Sequence, residues 1–160
     1  MTILDVSADI EIERTPDVVR RQFADVAHHE RTGVHRGVRF EVIDDDGRRC
    51  RYRQLSRLGP VTLEQKLLLV RTDAGPLVNT VVAGQFSGGT ISFEIQPAPD
   101  HCDRALVGAR LVAEVHGARA LFAPILRRSV AKALRRALEE DKLDLEEGGY
   151  DRSSTRATAI

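Results

Sequence analysis

Asp141 is the residue whose type and position most strongly suggest chemistry. The sequence from about residue 118 to residue 147 is typical of a long helix, and residues placed at about 100° intervals form an apolar stripe roughly 100° wide. The members of that stripe are Val130, Leu134, Ala137, Leu138 and Leu145. Asp141 falls in the middle of the stripe. An inward carboxylate near a helix C-terminus is opposed by desolvation and by the helix dipole, so Asp141 needs a cation, a proton or access to water.

Three histidines lie close together in the sequence before the predicted turn at residues 44–47: His28, His29 and His35. Histidines after a helix are commonly surface residues, and the acidic run 139–147 is also consistent with a solvated helix end. Asp141 could then pair with Arg31 or Arg36 from the histidine segment.

The N-terminal residues predict one strand followed by two short helices. Apolar and polar residues alternate over residues 4–12, which is the period-two pattern of a half-buried strand. Thr15-Pro16-Asp17 is typical of a helix start, with Thr15 as the N-cap and Pro16 at the first helical position. The helical pattern breaks down over residues 28–33.

The middle of the sequence predicts an antiparallel meander. Asp44-Asp45-Asp46-Gly47 is a strong hairpin turn, and similar turns separate the other apolar runs. The predicted strands cover residues 34–43, 48–57, 61–71, 77–86, 90–96 and 104–116. Consecutive hairpins make the sheet antiparallel, with about six to seven strands including the first. The glycine-rich segment 84–89 predicts a bend or bulge that lets the sheet curl.

The C-terminal part completes an α+β prediction. Pro124 lies in the first turns of the long helix, where it either kinks the helix or marks its true start. Residues 148–160 show no periodicity, so one domain over residues 1–147 and a disordered tail are predicted. The fold class is α+β, with a curved antiparallel sheet around a long C-terminal helix.

Composition excludes several classes of partner. The 160 residues are 42% apolar and carry no net formal charge, so no overall field attracts nucleic acid. Aromatic residues make up only 4% and do not alternate with basic ones, which also disfavours nucleic-acid binding. Two cysteines are too few for a disulfide framework, and no apolar run approaches a membrane span. The N-terminus does not resemble a signal peptide. We expect a cytoplasmic protein.

The order of elements resembles the START-like superfamily. This helix-grip fold includes lipid-transfer domains, the birch-pollen-allergen family, and polyketide cyclases and aromatases. The resemblance covers residues 4–147 and includes Thr15-Pro16-Asp17-Val18-Val19, which is similar to the helix opening common in that superfamily. It implies a cavity between the sheet and the C-terminal helix that binds a small apolar or aromatic molecule.

The implied cavity gives several polar residues a candidate role in binding the ligand: Tyr52, Gln54, Gln65 and Arg127. Such a protein would act as a carrier or as a cyclase-like enzyme. A cyclase needs an acid or base at the cavity wall, for which Tyr52, Arg127 and Asp141 are candidates. An exposed sheet edge or the C-terminal tail could support a homodimer.

A weaker resemblance points to a metal-dependent enzyme. The catalytic domain of Rieske oxygenase α subunits holds non-haem iron with two histidines and an aspartate from the C-terminal helix. Asp25 and His28 match the start of its histidine pattern, but the second histidine, His35, is displaced. The resemblance implies His28 or His29, with His35 and Asp141, as ligands of Fe(II) or another divalent metal. It also implies that Asp25 orients a ligating histidine.

The oxygenase interpretation carries a further requirement. Two cysteines cannot supply the ligands of a Rieske cluster, so electrons would come from a separate protein. Zinc or nickel is an alternative occupant, acting as a Lewis acid or holding the loop. The carrier, the cyclase and the metal-dependent enzyme therefore remain alternatives at this point, and whether the protein is an enzyme is left open.

Overall fold

The computed structural model describes residues 1–152, in which seven strands form one antiparallel sheet. The strands are β1 (Thr2–Ile12), β2 (Val38–Asp45), β3 (Arg49–Leu58), β4 (Val61–Val70), β5 (Leu77–Gly84), β6 (Thr90–Ala98) and β7 (His101–Val115). Their order across the sheet is β1-β7-β6-β5-β4-β3-β2, so β2 to β7 form a meander and β1 pairs with the last strand. The α+β class and the curved antiparallel sheet are confirmed.

The helices lie between β1 and β2 and after β7. They are α1 (Pro16–Ala24), α2 (Val26–Thr32), α3 (Ala118–Leu121) and α4 (Ala123–Glu146). Thr15 is the N-cap residue of α1 and Pro16 opens the helix, as predicted. The Asp25 side chain accepts a hydrogen bond from the backbone N–H of His28 and so caps α2.

The histidine segment differs from its prediction. The helical pattern was expected to fail over residues 28–33, but α2 continues to Thr32 and ends at Gly33, whose φ of 60° is left-handed. The next strand was predicted from residue 34 and begins at Val38. His28 and His29 are therefore helical residues, whereas His35 lies in the loop between α2 and β2.

The long helix α4 lies across the concave face of the sheet. Pro124 marks its start rather than a kink, because a proline in the first helical turn costs no backbone hydrogen bond. Leu138 and Leu145 are fully buried on its inward face, each contributing about 1.5–3 kcal/mol through burial of apolar surface. No helix within residues 1–152 combines the length and apolarity that crossing a membrane requires.

The ordered domain extends past the predicted boundary at residue 147. Residues 149–152 form a helical turn, and the ring of Tyr150 contacts that of His28 with centroids 4.9 Å apart. Tyr150 also packs against the main hydrophobic core. The rest of the predicted disordered tail, residues 153–160, lies outside the described residues.

Gly84 lies beside an irregularity in strand register, of the kind predicted for the glycine-rich segment. The register between β4 and β5 shifts between Lys66 and Leu67, next to the pairing of Gln65 with Gly84. Gly84 has a φ of +112°, and a Cβ there would lie 2.5 Å from the carbonyl oxygen of Glu64. Only glycine fits this combination of backbone angle and close strand approach.

Gly84→Ala is expected to lower the free energy of unfolding by about 1–3 kcal/mol, because it adds backbone strain and a clash with β4. Gly75→Ala is the matched control, since Gly75 has a φ of +83° but no atom within 4 Å of the added Cβ. Urea denaturation should show the smaller loss for the control. Equal losses would show that the close approach to β4 is unimportant.

Candidate functional site

A cavity of about 520 Å³ separates α4 from the concave face of the sheet. It forms because α4 packs mainly along β1 and contacts β3 only slightly. Its apolar wall includes five residues that belong to the hydrophobic core or pack against it: Leu63, Phe86, Phe93, Val130 and Leu134.

Three of the four predicted ligand-binding residues line this cavity: Tyr52, Gln54 and Gln65. The Tyr52 hydroxyl donates a 2.9 Å hydrogen bond to Asn79 Oδ1, and burial raises the pKa of Tyr52 well above its ordinary value. Gln54 Nε2 donates to Ser56 Oγ at 2.7 Å. Asn79 was missed by the sequence analysis, although its spacing places it on the same buried face of β5 as Leu77 and Val81.

Arg127 is placed elsewhere. It is exposed on α4, outside the cavity wall formed by the described residues, and its Nη2 donates to the carbonyl oxygen of Ile3 at 3.4 Å. The inward stripe of α4 passes through Val130, and the guanidinium reaches solvent at the β1 edge more easily than the apolar interior. Its expected position at the cavity wall is wrong.

At the α2 end of the cavity, His29, His35 and Asp141 converge. The Nε2 atoms of His29 and His35 lie 3.0 Å and 3.5 Å from Asp141 Oδ1. The two imidazole rings stack with centroids 5.3 Å apart and an interplanar angle of 15°. All three residues are buried and line the cavity, so this cluster gives the cavity a buried, ionisable region.

Each histidine is held at its other nitrogen. His29 Nδ1 lies 2.8 Å from the carbonyl oxygen of Asp25, and His35 Nδ1 lies 3.2 Å from Glu140 Oε2. Both partners are acceptors, so each Nδ1 carries the hydrogen and each Nε2 faces Asp141. Asp25 was expected to orient a histidine through its carboxylate, but its backbone carbonyl makes the contact with His29, and the carboxylate caps α2.

His28, the other candidate ligand, lies apart from the converging cluster. Its Nε2 is 2.7 Å from Asp144 Oδ2, and its ring does not form part of the cavity wall within the described chain. Successive helical residues point about 100° apart, so only one of His28 and His29 can face the cavity from α2. Asp141 contacts His29 and His35 rather than Arg31 or Arg36, which were its expected partners.

Gln22 connects the two acidic residues of α4. Its Nε2 donates to Asp141 Oδ1 at 2.9 Å and to Asp144 Oδ2 at 3.2 Å, and its side chain is fully buried. The sequence analysis did not single it out. Its spacing from Val19 and Phe23, which share the buried face of α1, is the signal that could have identified it.

His29 and Asp141 stabilise each other's charged forms. Burial by itself lowers the pKa of His29, but the hydrogen bond and charge of Asp141 outweigh it, so the pKa lies above its ordinary value. Burial raises the pKa of Asp141, and the charge of His35 with the hydrogen bond from His29 reverses this effect, so the pKa lies below its usual range. The pair is an ionisable donor and acceptor at the cavity wall.

Solved structures share this architecture at low sequence identity. TTHA0849 of Thermus thermophilus matches with a TM-score of 0.77 at 16% identity, covering 86% of this chain and 94% of its own. A START superfamily protein from Mycobacterium smegmatis gives 0.72 at 14% identity, over 89% of this chain and 97% of its own. This chain has the START-like, helix-grip fold. The Zhui aromatase/cyclase from Streptomyces sp. R1128 also matches, with a TM-score of 0.66 at 12% identity over 90% and 96% of the two chains.

The observed fold is the one that the START-like resemblance in the sequence implied. No family model and no curated protein matches the chain. The similar structures do not support the oxygenase-like alternative. The helix-grip arrangement accounts for the cavity, whereas the histidine–carboxylate cluster depends on residues that the fold alone does not specify.

Proposed function

We propose that the protein binds a small, predominantly apolar or aromatic molecule in the cavity between the sheet and α4. The observation that carries this proposal is the cavity itself. Its volume of about 520 Å³ falls within the range of about 300–1,000 Å³ typical of small-ligand sites. A mostly apolar wall with a few fixed polar groups favours a ligand of the same composition.

The polar groups give the cavity wall two polar regions that such a ligand can contact. Tyr52 and Asn79 form one fixed hydrogen-bonded pair at the sheet wall, and Asn79 Nδ2 also donates to the carbonyl oxygen of Ile91 at 3.4 Å. His29 and Asp141 form the second polar region, next to α2. A ligand with an apolar body would pack against the apolar wall, and a carbonyl or hydroxyl oxygen on it would hydrogen-bond to one of these polar regions.

Binding can be tested with tag-free protein by native mass spectrometry, followed by titration with the fluorescent naphthalene dye ANS. We expect a one-to-one complex with a dissociation constant of about 10 μM or tighter, and a negative heat-capacity change in calorimetry at several temperatures. Long-chain fatty acids and polycyclic phenols should displace the dye. Binding of many dye molecules without displacement would contradict a defined cavity site.

A cyclase-like reaction is the second candidate, and the His29–Asp141 pair favours it. In an aldol-type ring closure, a base removes a proton from the carbon beside a carbonyl, a carbon–carbon bond forms, and water leaves during aromatisation. Both residues line the cavity and are ionisable, which supports the pair as the group that exchanges protons with a bound molecule. The aromatase/cyclase among the similar structures is consistent with this candidate.

Carrier and cyclase differ in the fate of the ligand. The test compound is a linear polyketone mimic that can cyclise to an aromatic product. A carrier should leave this compound unchanged after incubation. A cyclase should yield a product lighter by one or more waters in mass spectrometry. His29→Gln should abolish that mass change while leaving ANS binding within about threefold, because the amide preserves most of the side-chain volume.

A further inference from the structure

We propose that His29, His35 and Asp141 form a binding site for one divalent first-row transition-metal cation at the α2 end of the cavity. Each residue offers one ligand atom, and the three atoms lie within 4.8 Å of one another. The proposal concerns the cation alone and does not depend on the organic ligand proposed above.

The separations between the ligand atoms suit a metal site. Metal–nitrogen and metal–oxygen bonds of about 2.0–2.2 Å place neighbouring ligand atoms about 3 Å apart. Asp141 Oδ1 lies 3.0 Å from His29 Nε2 and 3.5 Å from His35 Nε2. Both distances are close to that value and all three ligand atoms lie within 4.8 Å of one another, so rotation of the imidazole rings would let the three atoms share one cation.

The hydrogen bonds around the cluster prepare both histidines as ligands. The carbonyl oxygen of Asp25 and the carboxylate of Glu140 accept from the Nδ1–H groups, so each Nε2 is the nitrogen that faces Asp141 and is the one a cation would bind in place of a proton. Metal-binding histidines usually donate their second N–H to a carbonyl or carboxylate in this way. Gln22 holds Asp141 by donating to Oδ1.

The surrounding charge favours a dication. Three carboxylates project from α4 toward α2 and the loop that follows it: Glu140, Asp141 and Asp144. The Asp25 carboxylate caps the N-terminus of α2. On the outer side of this cluster Arg136 faces Glu140, with Nε 3.1 Å from Oε1. A cation between the histidines would compensate the buried charge of Asp141 without requiring a proton on either ring.

The donor set indicates the class of metal and its coordination. Two imidazole nitrogens and one carboxylate oxygen suit Fe(II), Co(II), Ni(II) or Zn(II) better than calcium or magnesium. Three protein ligands leave one to three coordination positions. Because all three residues line the cavity, those positions face it and are open to water or to an oxygen atom of a cavity ligand.

The test uses tag-free protein stripped with EDTA and titrated with cobalt(II) chloride. We expect one equivalent to bind with a dissociation constant of about 10 μM or tighter, giving visible absorption bands. His29→Gln, His35→Gln and Asp141→Asn should each weaken binding at least about 30-fold. The exposed His116 pairs with Glu114 at the surface, so His116→Gln is the matched control and should bind as the parent does.

Proton NMR of the cobalt-loaded parent in water makes the test independent of variant folding. Two exchangeable, strongly shifted imidazole N–H signals are expected, one from each Nδ1–H group. Absence of stoichiometric cobalt binding, or binding that persists in all three variants, would overturn the proposal. If the parent protein binds ANS but no cobalt, the metal proposal fails while the cavity proposal stands.

Discussion

Replacing His29 by leucine is expected to lower the free energy of unfolding of the metal-free protein by about 3–5 kcal/mol. The imidazole lies 3.0 Å from buried Asp141, and its removal leaves the carboxylate without its nearest cationic partner. A buried ion pair loses about this much when one partner is removed, because the remaining charge stays desolvated. Urea denaturation in buffer containing EDTA measures the loss.

The double variant His29→Leu/Asp141→Leu distinguishes a charge effect from lost packing. Removing both partners leaves no buried charge, so the double variant should recover at least about 1 kcal/mol relative to the sum of the two single losses. The exposed control His116→Leu should change stability by less than about 0.5 kcal/mol. Simple additivity of the two single losses would contradict a coupled pair.

Ala137→Trp is expected to weaken ANS binding about 100-fold, equivalent to about 2.8 kcal/mol. Ala137 lies on α4 at the cavity wall. An indole ring there would occupy space that the proposed ligand needs. The fold should persist, since the added ring enters open volume rather than a packed core. Fluorescence titration measures the affinity, and circular dichroism checks the helix content.

Arg135→Trp provides the matched control for the cavity-filling variant. Arg135 is exposed on the same helix, so a tryptophan there adds the same ring without entering the cavity. Its dye affinity should stay within about threefold of the parent value. If both variants bind the dye as the parent does, the dye site lies outside the cavity and the proposed function is wrong.

The strands and the long helix were predictable because their sequence patterns are local. Alternation from Leu4 to Ile12 marks β1, and the stripe through Leu138 and Leu145 marks the buried face of α4. Each pattern repeats with the period of its own backbone, so neighbouring residues contain the information needed. The inward position of Asp141 follows from the same periodicity and is observed.

The partner of Asp141 was not predictable in the same way. His29 lies 112 residues away in the sequence, and no local pattern reports which side chain a distant element brings opposite a helix face. The arginines of the histidine segment are equally plausible partners by charge. Only the packing of α2 against the end of α4 places an imidazole rather than a guanidinium beside the carboxylate.

By itself, the sequence determined the α+β class, the meander and the buried face of α4, because hydrophobic periodicity sets which side of each element is apolar. The tertiary structure decided that His29 rather than His28 faces the cavity, that Arg127 faces solvent, and that Asn79 bonds to Tyr52. These outcomes depend on the rotation of a seven-residue helix and on the separation of sheet and helix. Both are set by contacts between elements far apart in the chain, which single-element periodicity does not encode.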